Sequence, residues 1–502
     1  MLVAGVDSST QSTKVVLCRA EDGEVVGLGS APHPAGTECD PAAWWAALRQ
    51  AGEGLLDRAA AIGVAGQQHG MIALDETGEV IRPALLWNDL RSAGAAAQLV
   101  GERGGPQWWA EQTGSVPTAS FTVTKLRWLA EHEPVAAART AAVLLPHDWL
   151  TWRLRSAAAG APSATVPPAA VRPATAAPAT VPPVTAAPGT VPPVTAVTTD
   201  RGDASGTGYF SPAAGTWLPE VAAAAVGHPL ALPRVAQPAE IVGETSWGAA
   251  VSAGTGDNMG AALGLGLEAG DVAISIGTSG TAFAVSSVPA ADPSGAVAGF
   301  ADATGRFLPL VCTLNGALVL SAAAALVGSE LDGLSALALA AEAGAGGITL
   351  LPYLDGERTP DRPGATGVLR GLTTRNASRE NLARAAVESL LASLAEAADL
   401  LAGQGVPQRR VLLIGGASRS AAVRALAPGI FGAPVLVPEP GEYVARGAAR
   451  QAAWALAGTA DPPQWPPFRP AAEYTGPAQP EIRKRYAALR EDTAAWNEGT
   501  SW

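Results

Sequence analysis

The sequence predicts an α/β protein built from two similar domains that face each other across a cleft. The chain has 502 residues, 48 % of them apolar, which is more than a single hydrophobic core usually holds. A strand, a turn rich in Ser and Thr, and a second strand occupy residues 2–18. The same order returns at 272–285, and we interpret this as an internal duplication of one α/β unit.

The first domain begins with two short apolar runs, Leu2 to Val6 and Lys14 to Cys18, on either side of a polar turn. Asp22-Gly23 predicts a hairpin into a third strand at 24–28. Large apolar residues at helical spacing follow over 41–61. Ile62 to Ala65 is typical of a buried strand.

The second domain repeats this order, with strands predicted at 272–276 and 282–285 and, after a helix-rich region, at 411–414. We therefore assign 1–245 to the first domain and 246–460 to the second. The tail, 461–502, carries many prolines and several tryptophans, and its sequence suggests no function.

The segment 157–198 differs in composition from both domains. Between Ser156 and Thr199 the only charged residue is Arg172, and the rest is mainly Ala, Pro, Thr and Val. Proline at this density excludes helix and interior strand, and predicts extended or disordered chain. We favour a tolerated surface insertion, and a docking segment for a proline-recognising partner is the alternative.

Charge and cysteine content exclude several classes of protein. A net charge of −12 argues against binding to nucleic acid or to an acidic membrane surface. Cys18, Cys39 and Cys312 are far apart, which argues against a zinc site and against a disulfide framework. No apolar run has the length of a membrane span. We expect a cytoplasmic protein.

The turn after the first strand has the composition of a phosphate-binding turn. Asp7 ends the strand, residues 8–13 include Thr10 and Gln11 among several hydroxyls, and Lys14 opens the next strand. Small polar residues let backbone N–H groups approach a phosphate, and an adjacent carboxylate can hold Mg²⁺. An ordinary hairpin with Asp7 capping its turn remains the alternative.

Two further glycine turns follow predicted buried strands. Gly277-Thr278 opens the turn of the repeated unit, and Gly415-Gly416 follows the strand at 411–414. Opposing phosphate turns in a duplicated chain would form a clamp, and paired glycines would let a flat ring lie against the backbone. Close strand–helix packing explains the second pair equally well.

Asp257 is the best candidate for a catalytic carboxylate. It follows Gly254-Thr255-Gly256 and precedes Asn258, with apolar runs on both sides. A kinase needs a carboxylate that accepts the proton of the attacking hydroxyl. The alternative for Asp257 is a helix N-cap.

Polar side chains at two other strand ends suit a polyhydroxylated ligand. Gln68 and His69 follow the strand at 62–65, and Trp87 and Asn88 follow the next apolar stretch. Amide and imidazole groups can donate to and accept from hydroxyls, and an indole can cover the C–H face of a sugar.

Two longer motifs resemble the signatures of the FGGY carbohydrate kinase family. The first begins at Ser120, contains Lys125 and ends at His132, and the second runs from Gly367 to Glu388. The similarity spans about residues 1–455, interrupted by the segment 157–198, after which Asp200 to Thr207 resumes the family pattern.

The resemblance implies two duplicated domains of the actin-like ATPase (ribonuclease H-like) fold, and transfer of the γ-phosphate of Mg²⁺-bound ATP to a sugar hydroxyl. Asp257 would be the general base, and Asp7 would be the magnesium-linked carboxylate. The remaining roles would be phosphate contacts by Thr10, Gln11, Lys14, Gly277 and Thr278, adenosine contacts by Gly415 and Gly416, and sugar contacts by Gln68, His69, Trp87, Asn88 and Asn258.

Within the family, the stretches 66–70, 87–89 and 200–207 resemble the members that phosphorylate the ketopentose D-xylulose. Kinases for ribulose, gluconate or glycerol remain alternatives. A nucleotide-driven conformational protein of the same fold and a catalytically inactive sugar-binding relative are the alternatives from other classes. The expected partners are a sugar and ATP, and the resemblance is compatible with a homodimer.

Overall fold

The structure is a computed structural model that describes residues 1–156, 196–466 and 472–497. All but the last three residues of the predicted insertion 157–198 lie outside the described residues, so the two interpretations of that segment remain predictions.

The first half of the chain alternates short strands and helices. In chain order it contains β1 (Leu2–Ser8), β2 (Ser12–Arg19), β3 (Val25–Pro32), β4 (Glu38–Cys39), α1 (Pro41–Ala51), β5 (Ala61–Gly66), β6 (Ile72–Leu74), β7 (Ala84–Leu85), α2 (Ala93–Glu102), α3 (Gly105–Thr113), α4 (Thr122–His132), α5 (Pro134–Arg139), β8 (Ala142–Leu144), α6 (Pro146–Ser156), β9 (Thr198–Thr199), α7 (Arg201–Ala204), β10 (Phe210–Ser211), β11 (Thr216–Trp217), α8 (Pro219–Val226), β12 (Arg234–Val235), β13 (Ile241–Glu244), β14 (Ala250–Ser252) and β15 (Thr255–Gly256).

The second half is richer in helix. It contains α9 (Asp257–Leu265), β16 (Asp271–Ile276), β17 (Gly280–Ala284), β18 (Ala298–Ala301), β19 (Phe307–Thr313), α10 (Ala317–Leu326), α11 (Leu331–Ala340), β20 (Thr349–Leu351), β21 (Val368–Arg370), α12 (Arg379–Gly403), β22 (Arg410–Ile414), α13 (Ala421–Phe431), β23 (Val435–Val437), α14 (Tyr443–Ala457), β24 (Ala472–Tyr474) and α15 (Pro480–Asp492).

Two mixed sheets repeat the same strand arrangement. The first has the order β13-β14-β5-β1-β2-β3, and the second has the order β18-β19-β17-β16-β22-β23-β24. In the first sheet β1 is antiparallel to β2 and parallel to β5, and in the second β16 is antiparallel to β17 and parallel to β22. The predicted duplication is therefore confirmed, and the interior strands are the apolar runs that buried parallel pairing requires.

The first sheet continues past the predicted boundary between residues 245 and 246. That boundary falls inside the hairpin of β13 and β14, and β14 and β15 both pair with β5. The predicted tail also departs from expectation, because β24 adds an edge strand to the second sheet and Tyr486 of α15 lies in its core. The helix predicted over 41–61 ends at Ala51.

Helix α14 packs on the first sheet and on α9 through backbone contacts that only glycine permits. A Cβ atom at Gly5 of β1 would lie 1.8 Å from the carbonyl oxygen of Ala445. A Cβ atom at Gly447 of α14 would lie 1.8 Å from the carbonyl oxygen of Gly260 in α9. The N-terminal turn of α14 thereby lies against the later turns of α9, since a Cβ atom at Gly264 of α9 would lie 1.9 Å from the carbonyl oxygen of Tyr443.

Among the described residues, no single helix is long and apolar enough to cross a membrane. Helices α10 and α11 reach that length and hydropathy only when taken together, and they are bent by 81° relative to each other.

We expect Gly447→Ala to destabilise the protein by about 1–3 kcal/mol, because the new methyl group forces α9 and α14 apart. Urea unfolding followed by circular dichroism measures this. Gly403→Ala is the matched control, since a Cβ at this helical glycine meets no atom within 4 Å. The control should be neutral or stabilising by up to about 1 kcal/mol. Equal stability of the two variants would show that the close approach of the helices is unnecessary.

Candidate active site

The strands of the first sheet bring the predicted catalytic residues to one edge. β1, β5 and β15 run parallel, so their carboxyl ends meet there. Asp7 pairs with Ala65 in β5, and Thr255 of β15 pairs with the same residue. Lys14 lies opposite Asp7 in the antiparallel pair. Register alone therefore groups Asp7, Lys14 and the segment that leads into Asp257.

Two cavities open on this edge and share one wall. A nucleotide-side cavity of about 430 Å³ and an acceptor-side cavity of about 320 Å³ are both lined by Asp257, Asn258 and Ser275. The first also contains Asp7, Lys14, Gly415 and Gly416. The second also contains Gln68, His69, Trp87, Thr10 and Gly277. Asp257 thus faces both cavities.

The paired glycines have different roles in the nucleotide-side cavity. Gly415 has a φ of 87°, and a Cβ there would lie 2.6 Å from the carbonyl oxygen of Ile276. A glycine is therefore required where the end of β22 approaches β16, which is strand–strand packing rather than the strand–helix packing considered from the sequence. A Cβ at Gly416 would meet no atom within 4 Å, so this glycine keeps the wall flat and open. A planar ring fits such a wall.

Charged groups of both signs line the nucleotide-side cavity. Lys14 Nζ lies 2.7 Å from Glu442 Oε2, and both side chains are about one-third exposed. The hydroxyl of Ser9 donates a hydrogen bond to Asp7 Oδ1. Burial raises the pKa of Asp7 to about 6, although the Ser9 hydrogen bond and the charge of Lys14 act in the opposite direction. Lys14 is therefore shared between Asp7, Glu442 and any anion that enters.

Asp257 is the first residue of α9, and Gly256 rather than Asp257 occupies the N-cap position. Asp257 Oδ1 accepts hydrogen bonds from Asn258 N at 2.8 Å and from Asn258 Nδ2 at 3.0 Å. Among the described residues, no side chain or backbone group donates a hydrogen bond to the second carboxylate oxygen, Asp257 Oδ2. Desolvation, the charge of Asp7 and the charge of Asp203 raise the pKa of Asp257 to about 8. One oxygen is thus held in place and the other is available to a ligand.

Gln68 and His69 form the polar part of the acceptor-side cavity. Gln68 Oε1 accepts from Asn258 Nδ2 at 3.0 Å, while Gln68 Nε2 is buried without a partner. His69 Nδ1 lies 2.7 Å from the carbonyl oxygen of Gly206, which requires a proton on Nδ1. Burial lowers the pKa of His69 to about 3, so the ring is neutral and Nε2 accepts. The pair offers one donor and one acceptor to a hydroxylated ligand.

Lys125, within the first predicted signature, supports His69 from behind. Its Nζ donates to the carbonyl oxygens of His69 and Ser120, each at 2.7 Å. His69 needs this support because its φ of 66° is unfavourable for a residue with a side chain. The signature residue thus stabilises the conformation that points His69 into the cavity.

The other predicted residues are divided between the cavity walls and the surface. Thr10 Oγ1 accepts from Trp87 Nε1 at 2.7 Å, which joins the first turn to the acceptor side. Gly277 lines the acceptor-side cavity. Gln11 and Thr278 are exposed at the tips of their hairpins, and Asn88 is half-buried, outside the walls of both cavities.

A buried charged cluster behind Asp257 went unrecognised at the level of sequence. His147 Nδ1 lies 2.7 Å from Asp203 Oδ2, and Nε2 lies 3.3 Å from Asp148 Oδ1. Asp200 accepts a hydrogen bond from Thr255 Oγ1 at 3.0 Å. The cluster therefore anchors β15, the strand that leads into Asp257. His147 and Asp203 lie 56 residues apart, on either side of the Pro-rich segment, and no local spacing connects them.

The donor set suits a magnesium ion shared with a nucleotide. Within the described residues, no three His, Cys, Asp or Glu side chains are grouped as a metal-ligand set. Asp7 and Asp257 nevertheless line one cavity, and the charge of Asp7 raises the pKa of Asp257. Mg²⁺ usually binds one or two carboxylates, phosphate oxygens and several waters, and a pair of repelling carboxylates fits that habit.

Comparison with known proteins identifies both halves of the chain. Residues 2–160 match the model described as the FGGY family of carbohydrate kinases, N-terminal domain, and residues 272–456 match the C-terminal domain of that family. The xylulose kinase of Streptomyces coelicolor is 45 % identical over 474 residues, which cover 91 % of this chain and 88 % of the relative. The xylulose kinase of Escherichia coli is 34 % identical over 83 % of this chain and 82 % of its own length.

Solved structures agree with this match to the FGGY family. The crystal structure of xylulose kinase from Bifidobacterium adolescentis matches with a TM-score of 0.86 and 42 % identity, over 98 % of this chain and 99 % of that one. Plasmodium falciparum glycerol kinase with ADP, at 16 % identity and a TM-score of 0.80, shares the fold and covers 100 % of this chain and 99 % of its own. The predicted fold class, a duplicated pair of actin-like α/β domains, is confirmed.

We expect Asp257→Asn to stabilise the protein at alkaline pH. A carboxyl whose pKa is raised to about 8 on folding contributes stability at low pH, and this is lost as pH rises from its ordinary value of 3.8 through about 8. The variant carries no such penalty. At about pH 8.5 its Tm should exceed that of the wild type by about 2–4 °C or more, and near pH 4.5 the difference should be small.

Differential scanning calorimetry at both pH values measures this difference. Asp332→Asn, at an exposed position of α11, is the control and should show no pH-dependent gain. A constant offset between Asp257→Asn and the wild type at both pH values would contradict the raised pKa.

Proposed function

The chain belongs to the FGGY family of carbohydrate kinases, and we propose that it transfers the γ-phosphate of ATP to D-xylulose, giving D-xylulose 5-phosphate. One observation carries the proposal. Asp257 lies in the wall common to a cavity with glycine-rich and charged lining and a cavity with hydroxyl-binding side chains. A phosphoryl donor and a sugar acceptor in these two spaces would meet at this carboxylate.

Asp257 is the general base of the proposed reaction. Its Oδ2 takes the proton of the acceptor hydroxyl as the oxygen bonds to the γ-phosphorus and the bond to the ADP oxygen breaks. Asn258 keeps Oδ1 occupied and so fixes the orientation of the carboxylate. The raised pKa of Asp257 makes its ionised form a stronger base than an exposed carboxylate, and a positive charge bound beside Asp7 would favour that ionised form.

The nucleotide occupies the cavity lined by Lys14, Gly415 and Gly416 in this proposal. Gly416 supplies the open wall for the adenosine, and Lys14 leaves Glu442 to approach a phosphate. The proposed phosphate contacts lie on the two opposing hairpins and are Thr10, Gln11, Gly277 and Thr278. Because Gln11 and Thr278 are exposed, the two hairpins must approach each other for these residues to contact phosphate.

Asp7 would hold Mg²⁺, with phosphate oxygens and waters as the other ligands. The ion supplies positive charge that offsets the phosphates and the charge developing at the leaving oxygen. The hydrogen bond from Ser9 keeps Asp7 Oδ1 oriented.

The acceptor-side cavity is proposed to bind the sugar. Gln68 Nε2, which is buried without a partner, would donate to one hydroxyl, and His69 Nε2 would accept from another. Trp87 supplies an apolar face, while Asn258 and Asn88 are the remaining proposed contacts. The homodimer and the cytoplasmic location stay predictions, and light scattering and cell fractionation would test them.

The substrate is tested by ADP formation over a panel of D-xylulose, ribulose, gluconate and glycerol. We expect the highest kcat/KM for D-xylulose. A higher kcat/KM for another compound of the panel would still support phosphoryl transfer, and it would identify that compound rather than D-xylulose as the preferred acceptor. ADP release that is independent of any added sugar would instead favour a conformational ATPase.

Removing the base tests the mechanism. Asp257→Ala should lower kcat by about 10²–10⁴-fold or more, because it removes the carboxylate that faces both cavities, while the Kd for ATP changes little. Asp332→Ala, at the exposed position in α11, is the control for an equal charge change. Near-normal turnover in Asp257→Ala would refute its role.

A further inference from the structure

Among the described residues that line the acceptor-side cavity, Arg358 is the only lysine or arginine. It lies on the loop between β20 and β21, half-buried. Within the described parts of the chain, its guanidinium forms no ion pair or hydrogen bond with another residue, since only its backbone N–H is bonded, to Glu357. A half-buried guanidinium without a counter-charge is unfavourable unless a ligand supplies one.

The residues on both sides of Arg358 fix it in place. The buried carboxylate of Glu357 accepts from Leu314 N at 2.6 Å, from Arg358 N at 2.7 Å and from Asn315 Nδ2 at 2.9 Å. Thr359 Oγ1 donates to the carbonyl oxygen of Cys312 at 2.7 Å. The loop is therefore tied to the end of β19 by its own acid. Glu357 is occupied by these donors, which leaves the neighbouring guanidinium for the cavity.

The charge of Arg358 reaches both the sugar wall and the base. After burial and Lys125, it contributes to the low pKa of His69. The thiol of Cys312, whose pKa burial raises, is influenced by Arg358 and by Asp257 in opposite directions. Arg358 and Asp257 thus flank the same part of the cavity, whose wall also includes Gly277 and Ser279 of the second hairpin.

A neutral sugar offers this cation no charge, whereas the transferred group does. We propose that Arg358 binds the phosphoryl group on the acceptor side of the cleft and holds it after transfer, as part of the sugar phosphate. The inference rests on the proposed kinase function. As the oxygen–phosphorus bond to the sugar forms and the bond to ADP breaks, the electron pair leaves with the ADP oxygen and the proton goes to Asp257. Arg358 donates hydrogen bonds to non-bridging oxygens and keeps its own protons.

The test compares the binding of a sugar with the binding of its phosphate. Isothermal titration calorimetry of the nucleotide-free protein with D-xylulose and with D-xylulose 5-phosphate, at constant ionic strength, gives both Kd values. Arg358→Gln should weaken sugar-phosphate binding about 10- to 100-fold and change D-xylulose binding less than about twofold. The kcat of the variant should fall by at least about tenfold.

Arg362→Gln is the matched control, on the same loop and with the same change of charge. Its Nη1 donates to the carbonyl oxygen of Arg490 at 2.8 Å, and it lies outside the cavity wall. It should leave the ratio of the two Kd values unchanged. Equal weakening of sugar and sugar phosphate by Arg358→Gln, no weakening of either, or the same change of ratio in Arg362→Gln would each overturn the proposal.

Should Arg358→Gln not fold, as judged by circular dichroism, Arg358→Lys replaces it. Lysine keeps the charge and loses the planar fork, so sugar-phosphate binding should weaken about threefold or more while D-xylulose binding is unaffected. An unchanged ratio of the two Kd values would overturn the proposal.

Failure of the proposed function is a separate result, seen as no ADP formation from D-xylulose by the wild type. The sugar that the wild type does phosphorylate, and its phosphate, would then serve as the pair.

Discussion

The contact of α14 with α9 and the first sheet is the constraint on which the site depends. Gly5 and Gly447 remove the side chains that would otherwise separate these elements, and backbone lies against backbone. The N-terminus of α9 carries Asp257, and Glu442, at the N-cap position of α14, forms an ion pair with Lys14. Since α14 comes between β23 and β24 of the second sheet in sequence yet packs on the first sheet, it joins the two halves of the chain.

The carboxylate at the base of that cleft is kept in an unfavourable state. Desolvation and the charges of Asp7 and Asp203 oppose ionisation of Asp257, and its neighbours provide hydrogen bonds to only one oxygen. Within the part of the chain that the structure describes, Gln68 Nε2 and the guanidinium of Arg358 likewise lack protein partners. Groups left unsatisfied in this way reduce the stability of the ligand-free protein, and ligands of complementary charge and hydrogen bonding would restore it.

The local sequence pattern was sufficient to predict much of the fold and much of the candidate site. The apolar runs of β1, β2, β5, β16 and β22 are long enough and bounded clearly enough to be identified from sequence. Asp7, Lys14, Gln68 and His69 lie in or just after the ends of such strands, Asp257 follows the short strand β15, and the structure brings all five to the two cavities. Arg358 and the His147 cluster gave no such signal, because a lone arginine in a loop and a lone histidine in a helix are ordinary surface or core residues by local pattern.

Residues close together in the chain were enough to predict the duplicated α/β class, the strand ends that bear polar side chains, and the family. Folding was needed to show that β14 and β15 extend the first sheet beyond residue 246, that α14 crosses to it, and that the tail completes the second sheet. It also decided which face of each turn reaches a cavity, leaving Gln11 and Thr278 at the surface. These contacts join strands and helices that are not neighbours in the chain, from the pairing of Val435 with Tyr474 to the packing of Gly5 on Ala445, and no local periodicity records them.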